Sequence, residues 1–428
     1  MIKYEKLGNH VFVTKLAGFE HSKYIQFNET KRKVKDDDIP LVQGQNIRNG
    51  NFIEKYNYYI SKKISDELIR SKLNKKCILI PYVGSNLGEV GIFYHPYDCH
   101  MASNIAKIEL IDDYFDIEYL KYYLQSPIGQ SYLFVDKQGS AQPNITMQSI
   151  RNTLIIDKPK EEQLKIVKSL KEIDDKININ TQINNNLEEL MQTLYQRWFV
   201  EFNFPNEEGK PYKASGGKMV WNEELKQEIP EGWKVENLYK NSLSSIIKNG
   251  VDKFEKKIYL ETADITNDFI SNGNEISFNN RPSRANMQPQ LNSIWFAKMK
   301  NSVKHLSLAE SSNAFVNKYI LSTGMYGLQC DKKTFPYMHS FINSIYFEST
   351  KDKLAHGATQ QAVNDNDIKN IKIICPNNSI IEKYSNKTYS ILEEKNLIQE
   401  ENKRLTELRD FLLPMLMNGQ INVDDVEI

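Results

Sequence analysis

The chain has 428 residues, 40% of them apolar, enough for two or three cores at roughly 100–200 residues per domain. Its 55 basic and 55 acidic residues cancel, so affinity for a polyanion has to come from local placement of Lys and Arg, and a nonspecific coat for nucleic acid is disfavoured. Cys77, Cys99, Cys330 and Cys375 form no C-x-x-C pair, "MIKYEKLGNH" lacks an apolar signal core, and no run approaches the ~18 apolar residues of a membrane span; reduced thiols in a cytoplasmic, unanchored chain are expected.

After the opening "KYEKL" (3–7), the run "TKRKVK" (30–35) is basic, but Asp36, Asp37 and Asp38 follow and cancel much of its field. A phosphate contact and a solvated loop are equal readings of it. "LVQGQNIRN" (41–49) follows, then "KCILIPYV" (76–83) and "NIAKIEL" (104–110), which are short, rich in β-branched residues and bounded by turn residues, and so read as strands. The glycines of "GSNLGEVG" (84–91) are spaced wrongly for a dinucleotide fingerprint and suit turns in a sheet. Cys99-His100 is a solitary pair and reads as structural. "IEYLKYYLQS" (117–126) is helical, and "GSAQPNITMQSIRNTLII" (139–156) leads to Pro159, where a long helix starts with Glu161 and Glu162 in its first turn.

In that helix Leu170, Ile173, Ile177, Asn180, Asn184, Leu187, Met191, Leu194 and Trp198 alternate spacings of three and four, the seam of a coiled coil. At about 40 residues it should run ~60 Å and cannot bury its stripe alone. Trp198, Phe199, Phe202 and Phe204 then read as an apolar plug at the helix end rather than a base-stacking platform, and "IPEGW" (229–233) opens a second globule.

The second half repeats the plan. "KVENL" (234–238), "YLETADITN" (259–267), the strand-like "NSIWFAKM" (292–299) and "YGLQC" (326–330), the helical "YMHSFINSIYF" (337–347) and "GATQQAVNDNDIKNIKII" (357–374) follow in turn. A second long helix starts near Asn378 or Ser379 and ends near Leu416 before Asn418-Gly419, with Thr388, Ile391, Lys395, Ile398, Asn402, Leu405, Arg409 and Leu412 along its seam. At a constant shift of about 218 residues Gly139 falls on Gly357, Gln142 on Gln360, Ile150 on Ile368, Leu187 on Leu405 and Leu194 on Leu412. Asn184 falls on Asn402, and a buried asparagine in a seam costs stability but penalises wrong registers, so these two residues are expected to fix how the helices align. The implied division is 1–158 first globule, 159–199 first helix, 200–230 connecting loop, 231–376 second globule, 377–417 second helix and 418–428 tail.

No chemistry-bearing constellation emerges. There is no Walker phosphate loop, no H-E-x-x-H among the seven histidines, and no Pro-Pro pair for an Asn/Asp-Pro-Pro-aromatic methylase loop, so no catalytic, cofactor-binding or metal-ligating residue is assigned. Matched polar loops instead suit base and phosphate contacts. In the first half they hold Gln43, Gln45, Asn46, Arg48, Ser85, Asn86, Gln138, Ser140 and Gln142. In the second they hold Thr262, Asp264, Thr266, Lys298, Lys300, Asn301, Lys304, Thr359, Gln360 and Gln361.

The central "LYQRWFVEFNFPNEEGKPYKASGGKMVWNEELKQEIPEGW", the ending "LLPMLMNGQI" and the helix entry "PKEEQLKIV" resemble the specificity subunits of type I DNA restriction-modification systems, and the resemblance extends over essentially the whole chain. It implies an α+β fold of two mixed α/β target recognition domains in tandem, separated by two long antiparallel coiled-coil spacer helices with pseudo-two-fold symmetry. It also implies a non-catalytic reader of a bipartite, asymmetric, gapped double-stranded DNA target. The spacer would dock two modification subunits that carry S-adenosylmethionine, with restriction/motor subunits as optional partners and no membrane involvement. Base contacts do not transfer from the family, because these domains vary among its members; Pro143-Asn144 of the first copy is also replaced by Gln361-Ala362 in the second. Two other readings stand beside it: a stand-alone DNA methyltransferase or nuclease, which would bind cofactor unaided, and a coiled-coil adaptor, which would show no salt-sensitive DNA binding.

Overall fold

The computed structural model describes all residues except 1–2, 27, 49, 95–96, 136–143, 267–269, 271–272 and 426–428. It divides into two compact units, Met1–Asp175 with Thr406–Ile428, and Lys176–Leu405.

Strands of the first unit are β1 (Tyr4–Lys6), β2 (Val11–Lys15), β3 (Ile39–Val42), β4 (Ile47–Arg48), β5 (Asn51–Phe52), β6 (Tyr59–Ile60), β7 (Lys72–Leu73), β8 (Cys77–Pro81), β9 (Gly91–Phe93), β10 (Cys99–Met101), β11 (Ile105–Leu110) and β12 (Leu154–Ile156). An antiparallel sheet runs β2-β11-β8-β9, and a mixed sheet runs β6-β3-β10-β7 with β3 and β10 parallel. All five residues of β8 are buried, which accounts for its unbroken apolar run, whereas β2 exposes Phe12 and Lys15 while burying Val11 and Val13.

The second unit has β13 (Met219–Asn222), β14 (Gln227–Pro230), β15 (Lys234–Asn237), β16 (Ser244–Ile246), β17 (Lys257–Leu260), β18 (Asn274–Ile276), β19 (Ala285–Met287), β20 (Ser293–Ala297), β21 (His305–Leu308), β22 (Tyr319–Ser322), β23 (Met325–Cys330) and β24 (Lys372–Cys375). Its sheets run β16-β23-β20-β21, all antiparallel, and β18-β17-β22-β19, with β17 and β22 parallel. Within these four-stranded sheets strand order and direction therefore match the first unit strand for strand, and β15–β24 is the counterpart of β1–β12.

The helices follow the same shift. Ile117–Gln125, Pro127–Leu133 and Met147–Asn152 begin 218 residues before Phe335–Ile342, Ile345–Leu354 and Asp365–Ile368. Ser126 and Ser344 each cap the N-terminus of the following helix through Oγ, accepting from the amides of Gly129 and Phe347. The Tyr119 and Tyr337 hydroxyls each donate to the end of the last strand, at the carbonyls of Ile156 and Ile374. Two mixed α/β globules built on one plan are what the repeat in the sequence encodes.

The long helices span Lys160–Tyr195 and Asn378–Asn418, beginning 218 residues apart. In the first unit Arg409 bonds Asp174, and in the second Asn402 meets Asn180 while Lys395 pairs with Glu188. Partner numbers fall on one helix as they rise on the other, so the helices pair antiparallel within each unit. Leu170, Ile173, Ile398 and Leu412 are buried, Ile177, Leu187, Leu194, Ile391 and Leu405 are half-buried, and the exposed faces between them mix polar and charged residues with the exposed apolar side chains Ile179, Ile183, Leu190, Leu397, Leu408 and Phe411.

The two repeat-related asparagines do not face each other. Asn402 Oδ1 accepts from Asn180 Nδ2 at 2.9 Å, whereas Asn184 is buried with Oδ1 lacking a partner among the described residues. Antiparallel packing pairs positions of constant sum; the repeat relates positions of constant difference. Trp198, Phe199, Phe202 and Phe204 join the core of the second unit, with Phe199 edge-on to Tyr337 and Tyr384 at ring separations of 4.6 and 4.9 Å. The segment expected as a connecting loop contains the β13–β14 hairpin. Among the described residues no helix is long and apolar enough to cross a membrane.

Candidate nucleic-acid interface

In the first unit a single 3-10 turn, Gly44–Asn46, follows β3. Asn46 is 1% exposed; its Oδ1 accepts from the Gln43 amide at 2.8 Å and its Nδ2 donates to the carbonyls of Ile53 and Lys55. Its amide is thus used up in shaping the turn rather than offered outward. Gln45 is exposed and bonds half-buried Gln43, and Arg48 is exposed with no hydrogen bond or ion pair among the described residues. Asn86 Nδ2 reaches the carbonyls of Ile47 and Gly44 at 2.8 and 3.2 Å, tying the loop after β8 to the same turn, and Ser85 donates to Asn86 Oδ1. Gln45, Arg48, Ser85 and Asn86, with Leu87 and Glu89, line one open cleft of about 480 Å³. Gln138, Ser140 and Gln142 lie outside the described residues.

The second unit builds the same frame with different side chains. The turn Thr262–Asp264 follows β17, and Asp264 Oδ2 accepts from the Glu261 amide at 2.8 Å, the role Asn46 has 218 positions earlier. Lys304 Nζ donates to the carbonyls of Thr262 and Ala263, closing the β20–β21 loop onto that turn. Lys300 binds Gln361 twice, amide to carbonyl at 2.9 Å and Nζ to Oε1 at 2.8 Å. Lys298 is pinned by its amide to Gly324 O and by Val363 N to its own carbonyl, as Tyr82 is by Asn104 and Ile145 in the first unit. Burial lowers the Lys298 pKa, and its ammonium lies 5.5 Å from the Tyr326 ring. Asn301 is exposed with φ +55°, Thr266 is half-buried, and Thr359 and Gln360 are exposed on the loop that carries Gln361.

One further residue belongs to this surface and is not among those the sequence singles out. The Arg284 carbonyl accepts from the amides of Asn286 and Thr323, but its exposed side chain has no hydrogen bond or ion pair among the described residues, and a Cβ on Gly324 would meet its Nη2 at 3.0 Å and Thr262 Oγ1 at 2.5 Å. Arg284, Thr262 and the Lys298 backbone therefore converge on Gly324, where only a glycine fits. Arg284 lies between β18 and β19, where the first copy has the helix Lys62–Glu67, so it has no repeat counterpart to mark it. The one available signal is the second arginine of the turn-rich "RPSR".

Each unit thus presents guanidinium, amide and, in the second unit, ammonium donors on loops held in place by internal hydrogen bonds. This is an open surface rather than an enclosed pocket. Guanidinium groups suit the N7 and O6 acceptors of guanine or a phosphate, and Glu89 can accept from a cytosine amine. Among the described residues no cluster of three or more His, Cys, Asp or Glu could hold a metal ion. Burial pushes the thiols of Cys77, Cys99 and Cys375 up to about 12, which makes them inert as nucleophiles. His100 is fully buried between the hydroxyls of Ser65 and Ser71, and burial pushes its pKa down to about 4.

Residues 19–189 match the type I restriction modification DNA specificity domain. Over 425 residues the chain is 25% identical to the type I restriction enzyme MjaIX specificity subunit of Methanocaldococcus jannaschii, covering 91% of this chain and 88% of that protein. It is 24% identical to the type I restriction enzyme HindI specificity subunit of Haemophilus influenzae, covering 68% of this chain and 73% of that one. The crystal structure of the type I restriction-modification S subunit from M. genitalium shares the fold at a TM-score of 0.50, covering 97% and 96% of the two chains at 12% identity. The proteins this chain resembles by sequence are DNA specificity proteins. Among them, the relatives matched over most of this chain are specificity subunits of type I restriction enzymes, to which it is similar.

Proposed function

We propose that this chain is the non-catalytic, sequence-reading subunit of a cytoplasmic type I methyltransferase and restriction complex. Its target is a bipartite, asymmetric double-stranded DNA sequence: residues 1–158 read one half and residues 231–376 the other. The helices of residues 159–199 and 377–417 set the nonspecific gap and dock two modification subunits, which hold S-adenosylmethionine and methylate adenine; restriction subunits join the same assembly.

The observation that carries this reading is the pair of matched loop frames with unmatched side chains: Arg48, Gln45, Ser85 and Asn86 in one, Arg284, Lys298, Lys300 and Lys304 in the other. Equal frames support equal docking on a duplex, and unequal donors support different base sequences in the two halves. Arg48 and Arg284, exposed beside equivalent turns, are the residues assigned to base or phosphate contact. Gln43, Asn46 and Asp264 are assigned to shaping those turns.

Long-read sequencing of DNA from a host expressing the chain with its modification subunits tests the reading. Methylated adenine should lie in one gapped motif with dissimilar halves about one helical turn apart. Unmethylated DNA despite an assembled complex, or a continuous or palindromic motif, refutes it.

A further inference from the structure

The β20–β21 loop of the second unit, which carries Lys298, Lys300 and Lys304, rests on a buried ionic cluster whose charges have no counterpart in the first copy. Lys351 is 0% exposed, and its Nζ donates to Glu348 Oε1 at 3.0 Å and to the carbonyl of Ser302, at the loop tip, at 3.1 Å. Next to it, Asp352 Oδ1 accepts from the Asn301 amide at 3.0 Å, at the residue with φ +55°. Glu348 also accepts from His305 Nε2 at 2.8 Å, at the residue that re-enters the sheet, and His305 Nδ1 lies 2.8 Å from Asn343 Oδ1. Burial raises the Glu348 pKa, but His305 and Lys351 outweigh it and hold the carboxyl below its ordinary value.

At the same helix positions, 218 residues earlier, stand Gln130, Leu133 and Phe134. Gln130 donates to the carbonyl of Gly88, Leu133 is buried, and Phe134 packs so close to Gly88 that a Cβ there would meet its ring at 2.7 Å. The first copy therefore supports its loop with a neutral amide and an aromatic ring, the second with a buried ammonium and a carboxylate. A buried ammonium holds its acceptors in place, because any displacement of the Ser302 carbonyl leaves part of the charge unsolvated.

We infer that Lys351, Glu348 and Asp352 are positioning residues for the second half-site: they hold the 298–304 loop in its reading conformation without touching DNA. Lys300 and Lys304 can engage Gln361 and the 262–264 turn only while the tip stays in place, and this support distinguishes the second reading surface from the first. The inference rests on the proposed DNA-reading function.

The test uses the assembled complex with the double variant Glu348→Gln/Lys351→Leu, which places the first copy's Gln130 and Leu133 at those two positions and removes both members of the buried pair. Asp352→Ala, which leaves the buried pair intact, is the second variant. Methylation rates are compared on DNA bearing the wild-type motif and on DNA with a single mismatch in either half. Discrimination against second-half mismatches should fall at least tenfold in the double variant and measurably in Asp352→Ala, while first-half discrimination is unchanged. A lower overall rate with both discrimination ratios intact, or equal loss in both halves, overturns the inference. Failure of the wild-type complex to yield any bipartite motif would instead sink the proposed function, and this inference with it.

Discussion

Replacing Asn184 by Leu removes a buried side-chain oxygen that has no hydrogen-bond partner among the described residues, in a seam otherwise lined by Ile177, Leu187 and Met191. An orphaned buried acceptor costs about 1–3 kcal/mol. A leucine buried in its place contributes about 1.5–3 kcal/mol of its own. Imperfect fit in a seam shaped for asparagine costs about 1–3 kcal/mol. The expected net effect is stabilisation of the paired helices of the second unit by about 2 kcal/mol. A two-unit chain is not expected to unfold in one step, so the assay is native-state hydrogen exchange on amides 177–191 and 395–405. A gain of about 2 kcal/mol corresponds to roughly thirtyfold slower exchange of those amides by local opening. Unchanged or faster exchange would mean that the asparagine is satisfied in solution and that the helices pair in a different register.

Asn402→Leu should act in the opposite direction in the same assay, speeding exchange about fivefold, because it strips an acceptor from Asn180 Nδ2 and leaves Glu401 as the remaining partner. His100 sets an acid limit on the first unit. Its folded pKa, about 4, lies below the unfolded value near 6.5, so stability is fully present above about pH 6.5 and is lost as pH falls toward 4. The loss approaches about 3 kcal/mol. His100→Asn should flatten that part of the stability profile of the first unit, measured by native-state hydrogen exchange on its slowest amides and corrected for intrinsic rate across the same acid range, and an unaltered slope would show that His100 is not the group responsible.

The duplicated plan was legible because the helix seams and the Gly139/Gly357 segments keep one register at a shift of 218 residues, while strand runs such as β8 and β20 follow at a shift of 216. The roles of loop residues were not, since a polar side chain looks the same in sequence whether it faces a duplex or its own backbone. Asn46 and Asp264 staple turns, while Arg48 in the next strand stays unengaged among the described residues. Arg284 stands in a segment with no equivalent in the first copy, so the internal repeat gives no pointer to it. The partner of each seam asparagine is not legible from the repeat: ancestry aligns Asn184 with Asn402, but antiparallel contact places Asn402 against Asn180. The β13–β14 hairpin was hidden by the Gly/Pro/Lys-rich composition around it.

The division of labour between the two units is tested most directly by substituting Arg48 and Arg284 separately by Ala in the assembled complex and reading the methylated motif of each variant. The Arg48 variant should relax one or more base pairs in one half only, and the Arg284 variant in the other half only, each lost contact costing about 1–3 kcal/mol of discrimination. If either substitution relaxes both halves, or both relax the same half, the two units are not separate readers.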